Sequence, residues 1–237
     1  MRLDRLLSSL NVCSRSQAAA FLRSGRLTVN GQAIKIPSEN VSEEDKIIFD
    51  GQPLDTRLTR HYMLNKPSGL LTAAEDTRQE TVMKLLPPVC GTLGCMPVGR
   101  LDKDTTGILL FTTDGELAHR LLSPKRHVDK IYEAEVEGAP TEKDVAAFEA
   151  GVPLKDFTCL PAKLELLDGN RVRVTVREGK YHQIKRMLGA RGLPVIALKR
   201  LSFGDIQLDE SLREGAWREL TEREVAALYE AAGMTHE

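Results

Sequence analysis

The sequence predicts an α+β protein: a small N-terminal unit of two helices and a hairpin sheet, residues 1–58, followed by a larger strand-dominated part, residues 59–237. Three observations carry this. Leucines at positions 3, 6, 7 and 10 have the spacing of one helical face, whereas many later apolar runs are short, as strands are. Turn signals such as Asn30-Gly31 and Asp168-Gly169-Asn170 leave only a few residues between strands, which favours antiparallel pairing over a doubly wound nucleotide fold. Around Gly51–Arg60, Pro53 and scattered charges interrupt periodicity, as a linker does.

In order, the leucine-faced helix is followed by a second one, with Ser14 as N-cap, Gln17 completing a capping box and Gly25 as terminator. Its first-turn amides and Arg15 are placed to receive a phosphate. Leu27 and Val29 begin a strand, Asn30-Gly31 turns it, and Ile47-Ile48-Phe49 forms a later strand closed by Asp50-Gly51. Tyr62-Met63-Leu64 is a strand ended by Asn65-Lys66-Pro67-Ser68-Gly69, a loop expected to aim Lys66 outward. Thr81–Leu86 forms a short helix stopped by Pro87-Pro88. Gly91–Gly99 is glycine-rich but lacks GxGxxG or GxxxxGK spacing, so a nucleotide cradle is weakly supported.

The centre of the chain, Gly99 to Gly115, is a charged loop running into the apolar strand Ile108-Leu109-Leu110-Phe111, with Asp114-Gly115 as the next turn. Asp102 therefore stands just ahead of a buried strand. Beyond it come a helix over Leu117–Leu122, the basic cluster Arg120, Lys125, Arg126 and His127, and an alternating strand with Lys130, Tyr132, Ala134 and Val136 on one face. A helix over Thr141–Ala150, a hairpin around Asp168-Gly169-Asn170, strands at Val195–Leu198 and Ile206–Leu208, and a helix capped by Thr221 and Glu224 complete the chain.

Composition narrows the function. A net charge of −1 excludes a strongly basic protein, yet residues 1–35 hold six Lys and Arg against one acid, and residues 177–200 seven against one. Residues 205–237 hold three against nine, so two basic patches fit for a polyanion are offset by an acidic tail. Cys13, Cys90, Cys95 and Cys159 lack CxxC spacing and no HExxH is present, which favours reduced thiols in a cytoplasmic protein and argues against a metal site. An early acid at Asp4 and the lack of a long apolar run speak against a signal peptide and a membrane role.

Two readings of the central loop compete on local pattern. Asp102 and Asp104 either cap loop amides and pair with Arg100 or Lys103, or they carry chemistry. A pair of carboxylates would also suit a glycoside hydrolase, but that leaves the basic surface unexplained. The second basic patch, Arg177 to Leu188, passes from a strand end at glycine into a helix with Ile184, Met187 and Leu188 inward and its cations near the helix opening. Those cations suit backbone phosphate or a buried carboxylate.

Three segments together resemble one family. Gly99-Arg100-Leu101-Asp102 with Thr105 and Gly107, then Lys130-Ile131-Tyr132, then Glu178-Gly179-Lys180-Tyr181-His182-Gln183-Ile184-Lys185-Arg186-Met187 are similar to the signatures of the pseudouridine synthases of the small-subunit ribosomal RNA class and their large-subunit relatives. Arg2-Leu3-Asp4, Ser14-Arg15 and Val29-Asn30-Gly31 resemble the S4 RNA-binding domain. Lysine at 185, where distant branches have arginine, and the lead-in Cys90–Met96 depart from the pattern.

The resemblance implies a central antiparallel sheet crossed by a cleft, no cofactor, and isomerisation of a uridine within RNA. It makes Asp102 the essential carboxylate, which either attacks C1′ or takes the C2′ proton. Lys185 would pair with it, Tyr132 would stack under the target uracil, and Arg100 would enter the stack as the base leaves. A catalytically silent RNA-binding assembly factor is the competing class, but it would need no such carboxylate, aromatic and cation set. Arg2, Arg5, Ser14, Arg15, Arg26, Lys66, Lys125, Arg126, Lys180 and Arg186, with Arg100, are the expected RNA contacts. The expected substrate is one uridine of 16S ribosomal RNA, in a loop of its 5′ domain, met by a monomer in partly assembled small subunits; a 23S site is the alternative.

Overall fold

In the computed structural model, which describes residues 1–42 and 44–235, the chain divides into two units. The first takes Met1–Arg60 and Leu86–Cys95; the second takes His61–Leu85 and the described chain from Met96 onward.

In the first unit, Leu3, Leu6 and Leu7 turn inward from α1 (Leu3–Ser9) onto Leu22 of α2 (Ala18–Arg23) and onto Leu27, Val29 and Ile47 of a small sheet. That sheet is antiparallel, in the order β2 (Gln32–Ala33), β1 (Leu27–Val29), β3 (Ile47–Phe49), β4 (Gln52–Pro53). Asn30 and Gly31 have φ of +51° and +79°, the two positive values a tight primed hairpin turn requires. Two expectations change here. Gln52-Pro53 is not linker but an edge strand, where a missing N–H is tolerated, and Leu54 and Leu58 then pack on the core. The expected capping box forms only by half. Gln17 accepts from the Ser14 amide at 3.1 Å, but the Ser14 hydroxyl also donates to Gln17, at 2.8 Å, so α2 starts at Ala18. Arg15 lies 3.5 Å from Asp4, with its side chain still largely exposed. Pro88 caps a helix not foreseen, α3 (Val89–Thr92), whose Val89 packs against the same core.

The second unit is built on a nine-stranded sheet. Its path runs β13 (Trp217–Glu219), β5 (His61–Lys66), β7 (Thr106–Thr112), β11 (Val195–Phe203), β8 (Lys130–Val136), β10 (Arg171–Val176), β9 (Lys163–Leu166). The short strands β6 (Met96–Pro97) and β12 (Ile206–Gln207) pair with β7 and β11 off that path. The expected antiparallel sheet is thus mixed at one junction, because β7 and β11 run parallel. A parallel pair needs a long crossover, and residues 113–194 supply it.

Helices cover the sheet through two cores. Leu117 and Leu121 of α4 (Gly115–Leu122) and Val225 and Leu228 of α7 (Glu222–Ala231) pack on Ile108, Leu110 and Phe203. Phe148 of α5 (Glu142–Ala150) and Ile184, Met187 and Leu188 of α6 (Gln183–Ala190) pack on Ala134, Val172 and Val174. Asp114, read from sequence as a turn residue, is the N-cap of α4; its side chain accepts from the Leu117 amide at 3.0 Å. Among the described residues no helix is long and apolar enough to cross a membrane.

Candidate active site

The parallel junction decides where the loop before β7 goes. Gly107, at φ +99°, pairs with Arg200 of β11 so closely that a Cβ there would lie 2.1 Å from the Arg200 carbonyl oxygen. Only glycine fits, which gives the motif glycine its physical reason. On the other side of Arg200 stands Tyr132 of β8, so the loop leading into β7 and the tyrosine flank one strand.

That loop is tied down from behind. Thr72 donates to the Leu101 carbonyl at 2.8 Å and accepts from the Leu101 amide at 3.2 Å. Lys66, expected to project outward and touch RNA, is fully buried at the end of β5. Its ammonium donates to the carbonyls of Pro67, Lys103 and Thr105 at 3.0–3.1 Å. Burial pulls its pKa down to about 8, against the raising influence of Asp104 and Asp102. The sequence reading fails here because the three carbonyls that capture the ammonium are created by the fold around it. Lys66 anchors the Asp102 loop.

The opposite wall is the turn between β10 and α6. Glu178 accepts from the Leu160 amide at 2.9 Å and from the Gln183 side chain at 3.0 Å, while Gln183 accepts from the Lys180 amide at 3.1 Å. This clasp carries His182, at φ +47°, and one turn on, Lys185. Lys185 Nζ lies 3.3 Å from Asp102 and 2.5 Å from Asp104, so one ammonium serves both carboxylates. The Lys185 bond holds Asp104 below the usual carboxylate range, against a smaller raising influence from burial. His182, which sequence reasoning left without a role, places Nε2 3.5 Å from Asp102.

Arg100, Asp102, Tyr132, Lys180, His182 and Lys185 all line one pocket, together with the buried apolar side chains Leu101, Ile184 and Leu198. The arrangement offers an anion beside a cation, an aromatic ring and an exposed guanidinium within one cleft. Arg186 of the same helix is engaged elsewhere, in an ion pair with Asp156 and against the Phe157 ring, 5.2 Å from its centroid. Lys125 and Arg126 sit on an exposed turn away from the pocket lining, with the Arg126 guanidinium against the backbone at Gly233.

In the first unit, Arg2 donates to the buried Asp4 at 2.8 and 3.1 Å, and Arg15 approaches the same carboxylate. Arg26 makes a two-pronged ion pair with Asp50 while lying over Phe21 and Phe49, 5.3 and 5.0 Å from their centroids. Arg5 is exposed, and Ser14 is occupied by Gln17 and Ser16.

Comparison with known proteins agrees with this architecture. A family model described as RNA pseudouridylate synthase matches residues 60–190, and one described as S4 domain matches residues 1–47. A Bacillus subtilis (strain 168) protein named "Uncharacterized RNA pseudouridine synthase YtzG" is 44% identical over 97% of this chain and 99% of its own. A Yersinia pestis protein named "Ribosomal small subunit pseudouridine synthase A" is 40% identical over 96% of this chain and 98% of its own. A solved structure described as "Crystal structure of pseudouridylate synthase" superposes with a TM-score of 0.69 at 38% identity, covering 96% of this chain and 99% of that one.

Proposed function

The chain belongs to the RNA pseudouridylate synthase family and carries an S4 domain, and from that premise we propose that it converts one uridine of 16S ribosomal RNA to pseudouridine, with Asp102 as the essential carboxylate. The reaction is an isomerisation: N1–C1′ breaks, the uracil turns while held, C5–C1′ forms, and C5 then gives up its proton while N1 takes one up, so the overall composition is unchanged. Asp102 opens the sequence by attacking C1′ or by removing the C2′ proton, and either step requires its ionised form. The observation that carries this reading is the Lys185 ammonium 3.3 Å from Asp102 in a cleft that also holds Tyr132. The cation favours the anion, and the half-buried phenol ring of Tyr132 stacks under the trapped uracil. Exposed Arg100 at the rim fills the gap the extruded base leaves in the RNA.

The choice of the small subunit is supported by the names of relatives near 40% identity that span almost the whole chain. The substrate is met in partly assembled small subunits by a monomer. We assign RNA recruitment to residues 1–58, counting Leu86–Cys95 with them because Val89 packs on the same core, and chemistry to the rest of residues 59–237. Arg5, Arg2 and Arg15 supply phosphate contacts there, the last two steadied by Asp4, while Lys180, Lys125 and Arg126 supply them on the second unit.

The test is direct. Wild type and Asp102→Asn are incubated with unmodified 16S ribosomal RNA and pseudouridine is mapped. The amide has nearly the shape of the carboxylate without its charge, so product disappears while RNA affinity stays within about threefold. Substantial turnover by the variant removes Asp102 from the chemistry.

A further inference from the structure

Tyr181 is 72% exposed, more than any other large apolar side chain among the described residues. It is not loose. Its ring stacks on His182 with centroids 3.8 Å apart and planes 18° apart, and His182 in turn reaches Asp102 at 3.5 Å. The backbone under this pair is held in an uncommon state: His182 has φ +47°, a conformation that costs a non-glycine residue free energy and persists only where its surroundings enforce it. The Glu178–Gln183 clasp provides that enforcement. The fold thus spends strain to hold a two-ring shelf beside the carboxylate, with the Tyr181 ring left largely open to solvent.

We infer that Tyr181 and His182 form a second base-binding subsite, which stacks an unpaired nucleobase next in the chain to the target uridine. The inference rests on the proposed reaction. If the target base occupies the cleft over Tyr132, its neighbour must leave the cleft within one nucleotide's reach. The Tyr181–His182 pair stands at that exit, because His182 lines the pocket that Tyr132 lines and Tyr181 continues outward from it. Single-stranded RNA is recognised by such aromatic shelves, since every base offers a π face. Lys180, exposed beside the shelf, supplies the positive charge the intervening phosphate calls for. Tyr132 takes the reacting base; Tyr181 takes its neighbour and sets how the strand enters.

Single-turnover pseudouridine formation on a 16S 5′-domain transcript, measured over a series of enzyme concentrations, separates affinity from the saturating rate. Tyr181→Leu is expected to weaken apparent affinity about tenfold, within the range of one base–aromatic stack, and to lower the saturating rate by less than about threefold. Tyr181→Phe restores the affinity. The decisive arm uses transcripts with an abasic site at one or the other nucleotide flanking the target. At one flank the abasic RNA binds wild type as weakly as intact RNA binds Tyr181→Leu, and combining the two changes adds nothing further. Additive losses at both flanks, or wild-type affinity for Tyr181→Leu, overturn the subsite while leaving the reaction assignment standing. A wild-type protein that converts no uridine in either ribosomal RNA removes the premise and the subsite with it.

Discussion

Gly107→Ala tests the link between the β7–β11 junction and the catalytic loop. The added Cβ would sit 2.1 Å from the Arg200 carbonyl oxygen, 2.7 Å from its amide nitrogen and 2.9 Å from its carbonyl carbon. All three are backbone atoms, so no side chain can swing aside. At φ +99° the alanine also pays a conformational cost of about 1–3 kcal/mol before any clash is counted. The strands must separate, with loss of the Lys199–Thr106 and Arg200–Gly107 pairings, and a total of about 4 kcal/mol follows from adding roughly 1 kcal/mol for each lost backbone bond. For a unit of this size that lowers Tm by about 8–16 °C. Because Asp102 lies five residues upstream, a shift on the order of 1 Å at the junction reaches the carboxylate and lowers turnover about a hundredfold. Gly189→Ala in α6, where nothing lies within 4 Å of the added methyl, is the control and is expected to raise stability by about 0.5–1 kcal/mol. Thermal melts and single-turnover assays of both variants decide the matter. A Gly107→Ala protein with wild-type Tm and turnover refutes the reasoning.

Lys66→Met removes the donor to three loop carbonyls and is expected to destabilise by about 2–4 kcal/mol and to cut turnover, leaving RNA affinity and its salt dependence unchanged. A reduced salt slope in filter binding would instead make Lys66 a phosphate ligand. The same residue sets a pH signature. Its folded pKa of about 8 lies below the 10.5 of a free lysine, so between these values the unfolded chain binds the extra proton and stability rises with pH. The urea midpoint of wild type, measured against that of Lys66→Met, should therefore climb from pH 8 to 10; a fall would mean that the folded state holds the proton more tightly. Lys185→Met is expected to lower turnover about a hundredfold, with circular dichroism checking the fold. Asp104→Asn, which removes the nearer competitor for that ammonium, is expected to keep turnover within about fivefold. Equal losses in the two variants would make Asp104 part of the chemistry.

Local chemistry was legible in the sequence and long-range chemistry was not. Asn30-Gly31 and Asp168-Gly169-Asn170 specify their turns by conformational preference, and the leucines of α1 specify its buried face. Strands of two or three residues such as β4 and β13 left no periodic trace, because their pairing is imposed by the neighbour already in place. Lys66 misled because a lysine before proline and glycine has the composition of an exposed loop. Its acceptors at Lys103 and Thr105 lie 37 and 39 residues away. The approach of Lys185 to Asp102 bridges β7 and most of the β7–β11 crossover, so the basic patch offered a cation for some carboxylate, but the pairing of these two residues followed from family resemblance. Tyr181 and His182 do carry a local signal, an aromatic pair in a cationic stretch just after a glycine at a helix opening.

Pseudouridine mapping across both ribosomal RNAs, in cells with and without this gene, puts the central assignment to its most direct test. The expected result is loss of one small-subunit site, in the 5′ domain of 16S ribosomal RNA, restored by the wild-type gene and not by Asp102→Asn. Loss of a 23S site with every 16S site intact would contradict the substrate, and restoration by Asp102→Asn would contradict the role of the carboxylate.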